Sequence, residues 1–164
     1  MPDTMITQKR NALHGMYVIA FENQSSFSLA ELTRLMTATI IGQERWAWRV
    51  VGITPAALKQ FKEQRFRYQS GSGITRAHRT SRTDMTRFVF ERKAPLSADE
   101  LLNYWRETDQ TVVCARGENV DPFRSEFIPI HNPDGSLFTA QAISFRLGEV
   151  ERNCLVEIYE RMNF

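Results

Sequence analysis

His78 is the histidine whose neighbours suggest chemistry. It stands in Arg76-Ala77-His78-Arg79, four residues before Arg82 and five after Gly73. A neutral imidazole beside guanidinium groups suits a phosphodiester substrate: the imidazole acts as general base while the cations hold the developing charge. Read as a nuclease, the chain would use His78 as the base and Arg76 and Arg82 as charge stabilisers, with Mg²⁺ a possible cofactor. Neither Asp84, Glu126, Asp134 nor Tyr68 stands at a diagnostic spacing from His78. The same residues also make a binding surface without catalysis, and binding is the first expectation here. His14, His78 and His131 are dispersed, and Cys114 and Cys154 lie forty residues apart, so no zinc pattern exists. No phosphate-cradling loop, dinucleotide fingerprint or nucleophile elbow is present either. No cofactor and no metal ligand is expected outside the nuclease reading.

The surroundings of His78 are strongly basic. Residues 45–93 hold twelve Lys/Arg against three Asp/Glu, a net charge of +9; residues 94–164 hold six Arg against twelve Asp/Glu, a net of −6. The whole chain sums to only +2. Nine of the twelve cations are Arg, whose planar fork suits bidentate phosphate contacts better than the lysine point charge. Arg65-Phe66-Arg67-Tyr68 interleaves cations with rings, which pairs phosphate contact with base stacking. The expected contacts to DNA or RNA are therefore Arg65, Arg67, Tyr68, Arg76, His78, Arg79, Arg82 and Arg87. If about five phosphates of a duplex were contacted, affinity would fall with salt at a log-log slope of about −4 to −5. A third reading, from another class, is a protein-interaction module acting through the acidic C-terminal half. Trp46 and Trp48 share a strand face and are expected in the core.

These residues need a scaffold, and the helix starts are its clearest marks. Ser28 and Glu31 form a capping box, as do Ser97 and Glu100; Thr54 precedes Pro55, which suits the first helical position. Further helices are expected at 82–92 and 149–161, although Glu151 interrupts the apolar stripe of the latter. Strands are expected at 16–21, 46–53, 74–79, 111–115, 127–130 and 142–145, with a turn at Asn132-Pro133-Asp134-Gly135. If 74–79 is extended, Arg76 and His78 share one face and Ala77 and Arg79 the other. Helices 82–92 and 97–107 have the spacing of a helix-turn-helix, but the second carries Asp99, Glu100 and Glu107 against Arg106, and DNA would repel it.

Size and composition complete the expectation. With 164 residues and 42% apolar content, the chain should form one α+β domain over 16–164, with a small mixed or antiparallel sheet and about four to five helices, behind a mobile tail at 1–15. The longest apolar run, Met16–Phe21, is six residues, too short to span a bilayer. No membrane association is expected, and two free thiols suit a cytoplasmic location.

Overall fold

The computed structural model describes residues 3–44, 47–67, 71–118, 126–139 and 147–162. Among them the fold is α+β, with six α-helices and a four-stranded mixed sheet. The chain gathers into two compact units: a helical unit of residues 1–47 and 80–109, and a sheet unit of residues 48–79 and 110–164. Each has its own cluster of buried hydrophobic residues.

The helical unit contains α1 (Asp3–Glu22), α2 (Leu29–Arg34), α4 (Arg82–Phe90) and α5 (Ala98–Thr108). α1 takes in residues 3–15 of the segment expected as a mobile tail, and it replaces the strand expected at 16–21. Tyr17, Ala20 and Phe21 are buried, and Leu13 packs against the same core. That is helical spacing, so the six-residue apolar run divides between an inner and an outer face. The Tyr17 hydroxyl donates to the Val89 carbonyl (2.8 Å) and accepts from the Leu96 amide (3.1 Å), tying α1 to the turn between α4 and α5. α2 and α5 start at the expected capping boxes, Ser28/Glu31 and Ser97/Glu100. α2 then widens into a π-helical segment over Leu35–Ile40. At Gly42, just beyond it, a Cβ would collide with the Thr37 carbonyl, so only glycine fits.

The sheet unit contains β1 (Arg49–Ile53), α3 (Pro55–Glu63), β2 (Ile74–His78), β3 (Gln110–Ala115), β4 (Ile128–Pro129) and α6 (Glu149–Arg161). The strand order is β2-β3-β1-β4; β1 and β3 are parallel, and the outer strands run antiparallel to their neighbours. Val50, Ile53, Leu58, Phe61, Val113, Leu155 and Ile158 form the core under the helices. Thr54 caps α3 with Pro55 in its first turn, as its sequence predicts. Glu151, the residue that interrupted the α6 stripe, is 6% exposed and accepts from the Gly148 and Phe138 amides. It closes the start of α6, so it belongs inside. The turn at 132–135 is held by Asn132, whose side chain accepts from the Leu137 amide and donates to the Leu137 carbonyl. The strand expected at 142–145 lies outside the described residues, as does Trp46 of the strand expected at 46–53.

Cys114 lies in β3, 2% exposed, and burial with the nearby Glu118 charge pushes its thiol up to about 11. Both cysteines are free thiols. No helix among the described residues is long and apolar enough to cross a membrane.

Candidate nucleic-acid interface

The strand alternation expected for β2 brings Arg76 and His78 to one face of the sheet. Arg76 sits opposite Val113 and His78 opposite Thr111 in the antiparallel register with β3. Directly before β1 the backbone of Trp48 turns left-handed, at φ 63°. This conformation is uncommon for a residue with a Cβ and costs roughly 1–2 kcal/mol. Two hydrogen bonds to the Trp48 carbonyl hold it there: Arg76 Nη1 donates at 3.3 Å and Thr111 Oγ1 at 3.0 Å.

The indole lies against both predicted site residues. Its ring lies 4.3 Å from the His78 imidazole, inclined at 60°, and 5.2 Å from the Arg76 guanidinium carbon. All three side chains are half-buried. Trp48 is therefore absent from the sheet-unit core in which the sequence placed it. A cation, an imidazole and an indole packed at one end of a sheet offer a charge for phosphate, a hydrogen-bonding ring and an aromatic surface together.

The opposite face of the same sheet end carries Arg79 and Arg49. Arg79 is exposed; its amide donates to the Gln110 carbonyl (2.9 Å) and its Nη1 to Gln110 Oε1 (3.3 Å). Its guanidinium lies 5.3 Å from the Phe127 ring centre. That ring packs on Gly52, where any Cβ would collide with it. Arg49 is the register partner of Gln110 and is half-buried.

The remaining predicted contacts separate. Arg65 and Arg67 are exposed in the turn after α3, while Phe66 inserts into the core beside Tyr159. The cations and the ring do diverge, but through a left-handed turn at Arg65 and Phe66 and not through strand alternation. Gln64 Nε2 donates to the Ser72 carbonyl (3.3 Å), which fixes this turn at the start of β2. Arg76 and His78 stand toward its end, so about 10–20 Å of strand at about 3.4 Å per residue separates the two groups. Tyr68 lies outside the described residues.

Arg82 and Arg87 belong to the helical unit, and Arg82 is withdrawn from any surface. Its side chain is 9% exposed and pairs with Asp109, itself 0% exposed, at 3.0 Å. Burial lowers the Arg82 pKa and the Asp109 charge opposes that shift. Of the expected catalytic set, Arg76 and His78 share a face of β2, and Arg82 is engaged in an internal ion pair with Asp109. Arg87 is exposed and pairs with Asp84 at 3.2 Å, one helical turn earlier. Among the described residues, no three His, Cys, Asp or Glu side chains gather as metal ligands.

Trp48 is the member of the cluster that sequence reasoning placed elsewhere. Alternation from Trp46 through Ile53 puts it on a strand, whereas its left-handed backbone ends that alternation one residue before β1. Arg49, adjacent in sequence, was the available signal that this stretch reaches the surface.

No protein-family model, curated protein or solved structure matches the chain.

Proposed function

We propose that the sheet unit binds single-stranded nucleic acid at the end of β2, with Arg76 and Arg79 contacting phosphates, His78 hydrogen-bonding the strand, and Trp48 offering its ring to a base. The observation that carries this reading is the half-buried indole packed against both Arg76 and His78. Stacking on a protein ring requires a base freed from its own helix, which favours single strands. Arg65 and Arg67, in the turn after α3, extend the electrostatic track past the start of β2. The reading is of binding and not cleavage, because Arg82 is engaged with Asp109. The acidic half is also less of a free surface than its composition suggested. Asp109 and Glu151 are buried, and Glu118 accepts from the Thr54 hydroxyl and the Ala115 amide.

Titration with labelled single-stranded DNA and RNA at several salt concentrations tests the reading. Arg76→Glu is expected to abolish measurable binding. Trp48→Ala is expected to weaken it about 5- to 150-fold, the range of one lost stacking contact. Unchanged affinity in both variants would refute the assignment. Incubation of DNA and RNA with the protein, with and without Mg²⁺, is expected to leave the nucleic acid intact; cleavage that disappears in His78→Ala would replace binding with the nuclease reading.

A further inference from the structure

On the sheet face opposite Trp48, three adjacent strands set Arg79, Gln110 and Arg49 in one row. Gln110 opens β3, the middle strand of the three. Arg79 lies across from it where the antiparallel register of β2 continues, and Arg49 is its partner in the parallel pairing with β1. Cross-strand partners share a face, while Val50 and Thr111, the next residues along, are buried on the other. Two strand spacings put the arginine Cα atoms about 10 Å apart, with the Gln110 side chain between them. Gln110 Oε1 accepts from Arg79 Nη1, which leaves the amide nitrogen as a further donor. The Arg49 Nε is buried without a hydrogen-bond partner. Arg10, Arg82 and Arg87 each pair with a carboxylate, whereas among the described residues none pairs with Arg49 or Arg79. The row therefore presents two positive charges and several N–H donors, with no acid to neutralise them.

We propose that this row holds a terminal phosphate monoester of the bound strand, an inference that rests on the single-strand site described above. A monoester carries a charge of about −2 near neutral pH and three terminal oxygens, where an internal diester has a single charge and two. Two guanidinium groups with an amide donor between them match the monoester in charge and in number of donors. The unpaired Arg49 Nε–H costs the fold about 1–3 kcal/mol, and a dianion against the same guanidinium offsets it. Placement agrees with chemistry. His78 and Arg79 are neighbours in sequence, so the Trp48 face and the row meet at the end of β2. Farther along the face of the row, Ala77, Val112 and Cys114 are buried. A strand that rounds the sheet end from Trp48 finds no open surface beyond the row on that face, and its end comes to rest there. The phosphate of either a 5′ or a 3′ end offers this chemistry.

The test titrates the full chain with one short single strand of DNA in three forms: hydroxyls at both ends, a 5′-phosphate, or a 3′-phosphate. At least one phosphorylated form is expected to bind about tenfold or more tightly than the hydroxyl form, the gain from one further charge-assisted contact. Gln110→Glu keeps the shape of the row and sets a carboxylate between the guanidinium groups, so it is expected to erase the preference. Arg49→Met is expected to erase it as well. Trp48→Ala should weaken all three forms by a common factor and preserve the preference, because it acts on a base and not on the strand end. Measurable but equal affinity for the three forms would overturn the terminal-phosphate proposal while leaving the strand site standing. A preference that survives both Gln110→Glu and Arg49→Met would overturn it too, by placing the phosphate elsewhere. Binding of none of the three forms would overturn the strand site and this inference together.

Discussion

At Trp48 the cost of a strained backbone and the use of its side chain can be separated by experiment. Trp48→Ala and Trp48→Gly both remove the indole, but only glycine accepts φ 63° without penalty. The glycine variant is expected to be more stable than the alanine variant by about 1 kcal/mol in urea denaturation, while both bind nucleic acid equally poorly. A more stable alanine variant would mean that the Arg76 and Thr111 hydrogen bonds do not enforce this geometry. Arg82 invites a different experiment. Asp109→Ala leaves a buried guanidinium without its carboxylate and is expected to cost about 3–5 kcal/mol. Replacing both partners by apolar residues, Arg82→Met with Asp109→Leu, should recover most of that loss, as read from denaturation midpoints in a double-mutant cycle. The sequence shows Arg82 as one more cation in a basic run; its partner lies 27 residues away, and no local spacing announces it.

Among the elements, those with chemical start signals were legible and those defined by their faces were not. Thr54, Ser28 and Ser97 each satisfy the amide donors of a first turn with a hydroxyl, a contact that depends only on near neighbours in sequence. Thr54→Ala is expected to destabilise the sheet unit by about 1–2 kcal/mol, measured by thermal or urea denaturation. The Ser97 box also gives a pH signature. Hydrogen bonds from the Ser97 hydroxyl and amide hold the Glu100 carboxyl below the usual carboxylate range. A depressed folded-state value stabilises the protein above the unfolded-state pKa, and that stability disappears as pH falls through the folded value. Denaturation at pH 7 and at about pH 3 should therefore show a smaller acid loss in Ser97→Ala than in the wild type. α1 escaped detection because six consecutive apolar residues look the same whether a strand buries them all or a helix buries half. Only packing decides that Tyr17 and Phe21 turn inward while Met16 and Ile19 turn outward. Arg76 and His78, by contrast, were correctly placed on one face, because β2 keeps a simple two-residue period.

For the molecule as a whole, the block of charge along the chain is shared between two units. Of the basic segment 45–93, residues 48–79 belong to the sheet unit and residues 45–47 and 80–93 to the helical unit, where Arg82 is held in an internal ion pair. Contact by about four cations with a single strand implies a log-log salt slope of about −3, shallower than the −4 to −5 expected had five phosphates of a duplex been gripped together. Affinity measured between about 50 and 200 mM salt distinguishes the two values. Arg87→Glu, on the helical unit, should leave both the slope and the affinity almost unchanged. A large loss in that variant would show that the contact surface extends beyond the sheet unit.

Cys114 gives the sheet a built-in chemical stopwatch. Thiolate is the reactive form, and a folded thiol pushed up to about 11 holds little of it near pH 8. An alkylating reagent should accordingly modify Cys154, which is only half-buried, well before Cys114. Cys114 labelling would then report how often β2 peels away from β3, and its rate should rise with low urea long before the molecule unfolds. Rapid Cys114 labelling in the native protein would show instead that this end of the sheet stands open to solvent.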